Sequence, residues 1–262
     1  MNTIHVWWQK AAPKKRPVRY ILYSALLVIL SIFMLYIYIV LTLPDVRGLA
    51  RHNPKSWAML EMRKARTLAA GKKWRKRQYW VRFTDIPALL KKAVRITEDA
   101  SFYQHRGIDT EEIINSFKKN WQSGRPVRGG STITQQLAKN LYLSTEKSYW
   151  RKIKEYFIAR ELEKHLSKKR IFHIYLNIIE LGPGIFGVEA AARYYFGRSV
   201  SSLSLEQIIR VTAVIPKPLK VRPDSKNRWL LWKCRWIVTK LRQYGYISSE
   251  QYKTTLSVFK PK

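Results

Sequence analysis

The feature that most constrains this chain is an uninterrupted apolar run near its start. Residues 20–43 read YILYSALLVILSIFMLYIYIVLTL and contain no Asp, Glu, Lys or Arg. A helix of about 20 apolar residues is long enough to cross a bilayer, and the run also exceeds the apolar core of about 7–15 residues in a signal peptide. No small-residue cleavage site follows it, and its length argues against a buried helix of a soluble core. The sequence therefore predicts an uncleaved transmembrane helix at residues 20–43.

The charge of the chain is extreme and bears on the orientation of that helix. The 262 residues include 50 Lys and Arg but only 17 Asp and Glu, for a formal net charge of +33. This charge predicts an anionic partner, and composition alone does not choose among nucleic acid, phospholipid and a diphosphate substrate. Basic residues before the helix favour a cytoplasmic N-terminus, whereas the count of basic residues in segment 45–82 favours the opposite orientation. Because the first helix usually dominates and long domains translocate regardless of charge, we expect the C-terminal domain outside.

Composition shifts divide the chain into four segments. They are a basic cytoplasmic tail at 1–19, the transmembrane helix at 20–43, a basic membrane-proximal connector at 44–80 and a domain at 81–262. In the connector, the apolar residues Trp57, Met59, Leu60 and Met62 lie among basic ones. This pattern predicts either an amphipathic helix lying on anionic lipid or a solvated basic helix or loop.

The domain at 81–262 shows helical signals with few strand-like alternations. Capping boxes begin at Thr132, Ser204 and Ser248, so the predicted fold class is mainly α. The chain has one cysteine, Cys234, which excludes an intrachain disulfide and a cysteine-based metal site. The five histidines show no paired-ligand spacing, so the pattern does not support a zinc site.

Two short stretches carry residues suited to chemistry. The first, EDASFYQHRG at 98–107, places Glu98 and Asp99 directly after an apolar run. A carboxylate in apolar surroundings can take or give a proton near neutral pH, although an isolated Glu at a helix end is ordinarily a surface residue. The second, GGSTITQQLAKN at 129–140, offers hydroxyls, amides and an ammonium suited to an oxygen-rich, anionic ligand. Together they predict an enzyme site that handles a sugar phosphate.

A third stretch, RKIKE at 151–155, contains a further carboxylate, Glu155, one helical turn after Arg151. Taken alone, such a pair is an ordinary surface ion pair that contributes about 0.3–0.5 kcal/mol.

Five motifs in order resemble those of the family-51 glycosyltransferases, which polymerise the glycan strands of bacterial peptidoglycan. Besides the three stretches above, they are SKKRIFHIYLN at 167–177 and GVEAAARYYFG at 187–197, and the resemblance covers about residues 80–223. His173 stands where many members carry Glu, at a position expected to pack the helix. The anchor and the short length after the motifs make the chain similar to the monofunctional biosynthetic type.

This resemblance implies a mainly α, lysozyme-like, two-lobed glycosyltransferase domain behind a single N-terminal transmembrane helix, with the smaller, mobile lobe facing the membrane. It also implies a polymerase that moves glycan from a lipid II type donor to the 4-hydroxyl of an acceptor with inversion and releases undecaprenyl diphosphate. The implied setting is cell wall biogenesis and cell shape at the bacterial cytoplasmic (inner) membrane, with the catalytic domain on the periplasmic side.

By the same resemblance, Glu98 is the catalytic base and Glu155 a second essential carboxylate. Glu155 either orients Arg151 or binds Mg²⁺ or Mn²⁺ bridging the diphosphate, and no organic cofactor is expected. The implied substrate-binding residues are Asp99, Phe102, His105, Ser131, Thr132, Gln135, Gln136, Lys139, Asn140 and Arg151.

The implied partners are the lipid-linked precursor, the growing glycan strand, anionic membrane lipid and cell-wall synthesis or division proteins, without nucleic acid. Two alternatives are weaker. A lytic, lysozyme-like enzyme protonates a glycosidic oxygen and does not need Lys139 and Arg151 to bind a diphosphate. A non-enzymatic basic membrane protein gives no reason for the ordered motifs.

Overall fold

The structure is a computed structural model that describes residues 16–124, 129–144 and 148–260 and forms two compact units, Met1–Leu43 and Pro44–Lys262. In the first unit, helix α1 covers Arg16–Leu41, and an 18-residue window within Arg19–Leu41 has a mean hydropathy of 2.6. The side chains of this segment are mostly exposed, as a membrane span requires and a core helix does not. The predicted single N-terminal transmembrane helix is confirmed, whereas residues 1–15 of the predicted tail lie outside the described residues.

The second unit is built mainly of helices, which confirms the predicted fold class. Its α-helices are α2 Ala58–Ala69, α3 Ala88–Glu98, α4 Thr110–Ser123, α5 Ile133–Tyr142, α6 Tyr149–His165, α7 Lys168–Ile178, α8 Val188–Phe196, α9 Leu205–Val214, α10 Arg228–Gln243 and α11 Ser249–Val258. Two 3₁₀ turns cover Arg47–Ala50 and Val200–Ser202. The three predicted capping boxes are present at the starts of α5, α9 and α11.

Three short strands form a small sheet beside the helices. They are β1 Arg77–Gln78, β2 Glu180–Gly182 and β3 Ile185–Phe186, in the order β1-β3-β2. Strand β3 pairs in parallel with β1 and antiparallel with β2.

Helix α7 lies at the centre of the core. Its residues Ile171, Phe172, Ile174, Tyr175 and Leu176 are almost completely buried. Helix α5 packs against α6 and α7, while α3 packs against α9 and α10. This packing brings the C-terminal end of α3 and one face of α5 together.

The fourth and fifth motifs hold the segment before α3 in place. Asn177 Oδ1 accepts the Val81 N–H at 2.9 Å, and His173 Nε2 contacts the Val81 carbonyl oxygen at 2.8 Å. His173 therefore packs α7 against this segment, as expected for its position in the motif. Gly187 has φ +83°, and a Cβ there would lie 2.4 Å from the Asn177 carbonyl oxygen. Only glycine fits this turn without strain.

The connector folds as part of the second unit, which begins at Pro44. Trp57 is 3% exposed and packs edge-on against Phe186, with ring centroids 5.5 Å apart. Met59 and Leu60 are also buried, and α2 packs on α5. The interpretation that these apolar residues rest on lipid is wrong, because the protein itself covers Trp57, Met59 and Leu60. The basic side chains on the other face of α2, such as Lys64 and Arg66, are exposed, as expected for a solvated basic helix.

Candidate active site

Glu98 ends α3, whose apolar face is buried in the core, so the helix delivers its last side chain to the edge of the core. Glu98 is half-buried, and its Oε2 accepts a hydrogen bond from Gln136 Nε2 at 3.0 Å. Burial raises the pKa of the Glu98 carboxyl above its ordinary value. The Gln136 hydrogen bond and the charges of Lys233 and Lys139 oppose that rise. The result is a carboxyl that holds a proton more readily than an ordinary glutamate, as a group that exchanges protons requires.

Gln136 reaches Glu98 from α5 and is itself held from the core side. The Tyr175 hydroxyl of α7 donates to Gln136 Oε1 at 3.1 Å. Tyr175 is fully buried, and burial raises the pKa of its hydroxyl well above the ordinary value. Three residues on three helices therefore form one chain of hydrogen bonds that ends at the Glu98 carboxylate.

Asp99 and His105 tie the loop after α3 to the start of α5. Asp99 Oδ2 accepts the Ile133 N–H at 2.9 Å, and His105 Nε2 lies 3.0 Å from Asp99 Oδ1. His105 Nδ1 accepts the Gly107 N–H at 3.1 Å, so its ring proton is on Nε2 and is donated to Asp99. Thr132 closes the same network by donating to the Gly107 carbonyl oxygen at 2.6 Å.

Several residues expected to bind substrate also make internal contacts of this kind. The Phe102 side chain is fully buried against Phe172, with ring centroids 5.5 Å apart. The buried members of the expected set are Asp99, Phe102, Thr132, Gln135 and Asn140. Their side chains are enclosed by protein and help to position the loop and α5, and their contact with substrate stays a prediction.

A second cluster surrounds Glu155 on α6. Arg151 Nη1 donates to Glu155 Oε2 at 2.9 Å, and Lys152 Nζ donates to Glu155 Oε1. Lys152 Nζ also lies 3.1 Å from Ser131 Oγ, which connects the predicted Ser131 to this cluster. Glu155 is 3% exposed, so the carboxylate is buried under the two cations that it holds.

Lys139 connects the two carboxylates electrostatically. It lies three residues after Gln136 on α5 and is half-buried. Burial lowers the pKa of its ammonium, Glu155 and Glu98 raise it, and Arg151 and Lys152 lower it. The arrangement is a carboxylate with a raised pKa at one end and cations around a buried carboxylate at the other. It suits removal of a proton on one side and neutralisation of an anion on the other.

A divalent metal held by the protein would need several ligands near Glu155. Within the described ranges, no three His, Cys, Asp or Glu side chains come together as a protein metal site would require. Arg151 and Lys152 already occupy both Glu155 oxygens. These residues do not fit a metal held by protein groups alone, and Mg²⁺ or Mn²⁺ stays a prediction.

Sequence reasoning missed three residues of this site. Lys233 on α10 lies with its Nζ 4.1 Å from the Trp236 ring centroid and interacts with the charge of Glu98. Tyr175 and Lys152 belong to the fourth and third motifs but were not assigned a role. Lys233 lies after the stretch that carried the resemblance, and nothing local in the sequence links it to Glu98.

Helix α4 presents an exposed apolar face. Phe117 and Trp121 are 65% and 78% exposed, with ring centroids 6.0 Å apart, and Ile114 is exposed beside them. Single exposed apolar residues are common, whereas exposed apolar residues grouped on one helix face are typical of interaction surfaces.

Comparison with known proteins gives one consistent result. A sequence model of the transglycosylase family matches residues 64–242. The biosynthetic peptidoglycan transglycosylase of Methylobacillus flagellatus is 41% identical over 224 residues, covering 86% of this chain and 95% of that protein. The protein of the same name from Nitrosospira multiformis is 44% identical over 189 residues, covering 72% and 82%. That from Cupriavidus metallidurans is 52% identical over 139 residues, covering 53% and 60%.

Proposed function

The chain belongs to the transglycosylase family and is a peptidoglycan transglycosylase of cell wall synthesis, and on that premise we propose that it polymerises glycan strands. In this proposal a lipid II type donor passes its glycan to the 4-hydroxyl of an acceptor sugar with inversion at the anomeric carbon. The leaving group is undecaprenyl diphosphate.

The Glu98 carboxylate is the general base of this reaction. It takes the proton of the acceptor hydroxyl while the hydroxyl oxygen forms the new bond to the anomeric carbon. The bond from that carbon to the diphosphate oxygen breaks, and its electron pair leaves with the diphosphate. Partial burial supports this role because it raises the pKa of the Glu98 carboxyl above its ordinary value. The Gln136 hydrogen bond opposes that rise and holds one carboxylate oxygen in place.

The cation cluster of Lys139, Arg151 and Lys152 receives the departing diphosphate. Three cations around the single carboxylate of Glu155 leave a surplus of positive charge next to the base. A diphosphate is a good leaving group without protonation, so it requires charge neutralisation rather than a general acid. This cluster is the observation that carries the proposal.

Glu155 acts by orientation in this mechanism. Its buried carboxylate fixes Arg151 through the 2.9 Å ion pair and holds Lys152 at the same time. A divalent cation would draw most of its ligands from the diphosphate, as Mg²⁺ commonly does with phosphate substrates. No step of the proposed transfer passes through it.

The same cation cluster favours polymerisation over cleavage of a finished strand. A lytic enzyme also uses a carboxyl group with a raised pKa, but as an acid on a glycosidic oxygen, and its leaving group is a neutral sugar. Arg151 and Lys152, held by a buried carboxylate near Lys139, have no purpose in that reaction.

The apolar helix α1 is a single-pass membrane anchor. We propose that it lies in the bacterial inner membrane with the catalytic unit on the periplasmic side, where a lipid-linked donor is available. The exposed apolar face of α4 and the net charge of +33 support contact with anionic lipid. Cell-wall synthesis or division proteins remain proposed partners.

The proposal is tested by incorporation of labelled lipid-linked disaccharide-pentapeptide into polymer by the full chain in detergent. Wild type is compared with Glu98→Gln and with the matched control Glu250→Gln, which changes an exposed Glu on α11. We expect polymer from wild type and the control and none from Glu98→Gln. Equal polymer from all three removes Glu98 as the base. Shortening of preformed glycan without polymer moves the assignment to a lytic enzyme.

A further inference from the structure

Tyr175 is a buried residue with a polar connection to the proposed base. It lies on α7 in the centre of the core, is 0% exposed and packs beside Phe172. Its hydroxyl contacts Gln136 Oε1 at 3.1 Å, and Gln136 Nε2 contacts Glu98 Oε2 at 3.0 Å. The catalytic mechanism above uses Glu98 and Gln136 but leaves the buried hydroxyl without a function.

The chemistry of the amide gives this hydroxyl a function. A glutamine side chain has a donor end and an acceptor end, and a half-turn about its last bond exchanges them. With the donor end toward Glu98, the amide stabilises the ionised carboxylate. With the acceptor end there, an amide oxygen would face a carboxylate oxygen, and the two would repel each other.

The Tyr175 hydroxyl stabilises the first orientation by donating to the amide oxygen, which holds the amide with its nitrogen on the Glu98 side. In the reverse orientation the hydroxyl could accept from the amide nitrogen, but the amide oxygen would then face the carboxylate. Because the phenol remains protonated in its buried environment, it is available as a donor throughout the pH range in which the enzyme works.

We propose that Tyr175 is a positioning residue for glycan transfer, whose hydroxyl holds the Gln136 amide so that it donates to the ionised Glu98 carboxylate. The inference rests on the proposed function, since it concerns the same base. Gln136 then engages Oε2 and leaves Oε1 to receive the acceptor proton. The hydroxyl is neutral and does not touch the substrate, so it acts only through Gln136.

The groups that act on Glu98 come from four elements. Asp99 follows it at the end of α3, Gln136 and Lys139 face it from α5, Tyr175 from α7 and Lys233 from α10. Replacing Tyr175 by Phe changes none of the charges in this set. A change in the ionisation of Glu98 in that variant therefore reports the hydrogen-bond chain.

The first experiment compares the full-length Tyr175→Phe variant with wild type in the polymerisation assay across pH. Loss of the hydroxyl frees the amide to turn, so the carboxylate loses part of its stabilisation. We expect the acid limb of kcat/KM against pH to move to higher pH. We also expect kcat on the plateau to fall roughly three- to tenfold, the effect of about one hydrogen bond, with KM little changed. Tyr244→Phe, on an exposed tyrosine after α10, serves as the matched control.

A merely structural role for Tyr175 predicts a different result. It predicts a lower melting temperature with the acid limb in its wild-type position, and this outcome overturns the inference. A double-variant cycle with Gln136→Met adds a second criterion. If the two residues act as one chain, the double variant moves the limb no further than Gln136→Met alone, whereas additive shifts contradict the proposal.

A readout independent of turnover separates this inference from the proposed function. The Glu98 carboxyl is titrated by ¹³C NMR in protein labelled at glutamate carboxyls, and its signal is identified by its absence from Glu98→Gln. A higher midpoint in Tyr175→Phe than in wild type supports the inference even if wild type makes no polymer. An unchanged midpoint overturns it even if wild type is fully active.

Discussion

Both carboxylates of the site act on Lys139. Its ammonium is half-buried, which lowers its pKa, while Glu155 and Glu98 raise it and the neighbouring cations lower it again. The two carboxylates therefore oppose the effect of burial, which favours the neutral amine. In the proposed mechanism this balance favours the charged ammonium that receives the diphosphate.

Replacing Lys139 by Met removes that cation and keeps most of the side-chain volume. We expect kcat to fall roughly 10²- to 10³-fold, the usual effect of losing one charge-stabilising group at a reacting centre. Initial rates of polymer formation give the value, with Lys253→Met on the exposed face of α11 as the control. A loss smaller than about twofold would show that the diphosphate leaves elsewhere.

Replacing Lys233 by Met tests the electrostatic setting of the base. The charge of Lys233 lowers the pKa of Glu98, so its removal moves that pKa still further above the ordinary value. Less Glu98 is then ionised at acid pH, and the loss of activity should be largest there and vanish at alkaline pH. Rates measured between about pH 5 and 9 check this. An equal loss at every pH would contradict it.

Glu98 and Glu155 could be predicted from the sequence as site residues, as could Lys139 and Arg151, because each lies in a short motif whose residue types suit the chemistry. The burial of Phe102 and Thr132 could not be predicted, since a motif specifies residue types and their spacing but not which side chains are enclosed by protein. Lys233 was beyond sequence reasoning, because only the packing of α10 on α3 brings it near Glu98.

At the scale of elements, the site depends on how α2 and the small sheet support α5. Arg63 of α2 donates to Glu180 Oε2 of β2 at 2.8 Å, and this pair is largely buried. Burial raises the pKa of Glu180, and the charge of Arg63 and its hydrogen bond oppose the rise. The ion pair therefore attaches α2, which lies in the segment predicted as a connector at 44–80, to the core.

Removing Arg63 should therefore destabilise the protein in a pH-dependent way. Arg63→Met leaves Glu180 buried without its cation, at a cost of about 3 kcal/mol in the free energy of unfolding. With the folded pKa of Glu180 above its unfolded value, the folded state binds the proton more tightly. Stability is then lost as pH rises through the range between the two pKa values. Melting temperatures measured at acid and at neutral pH test this prediction. The double variant Arg63→Met/Glu180→Leu should recover most of the stability that Arg63→Met loses. Equal destabilisation at both pH values would be inconsistent with a buried, uncompensated Glu180.

The turn into α8 gives a second prediction at this scale. A Cβ at Gly187 would meet the Asn177 carbonyl oxygen at 2.4 Å, and φ is +83°. Gly187→Ala should cost about 2–3 kcal/mol of stability, since backbone strain and a clash combine. Gly48→Ala, where a Cβ meets nothing within 4 Å, should change stability by less than about 0.5 kcal/mol. Equal melting temperatures for the two variants would refute the argument.

Local signals predicted the elements better than they predicted what covers them. The capping boxes at Thr132, Ser204 and Ser248 form as expected, because cap chemistry acts within one helical turn. Helix α2 is different, since the same amphipathic pattern suits a membrane and a protein surface equally. Only the position of Phe186 and α5 shows that Trp57 and Leu60 face protein.

At the scale of the whole molecule, the positive net charge and the apolar helix α1 both favour a position at a membrane. Helix α1 provides the anchor, and the net charge of +33 favours a surface of anionic lipid, to which each nearby basic residue contributes about 1 kcal/mol. The second unit places the proposed base Glu98 and the cations around Glu155 within electrostatic reach of Lys139 on α5. A lipid-anchored diphosphate donor suits a membrane-anchored enzyme of this kind.

The measurement that tests this account most directly is ³¹P NMR of wild type with the lipid-linked donor while new glycosidic bonds are counted in the polymer. The account predicts that the sugar-diphosphate signal is replaced by free lipid diphosphate, one for each new bond. It also predicts that Glu98→Gln leaves the donor intact. New or broken glycosidic bonds without release of lipid diphosphate would contradict it.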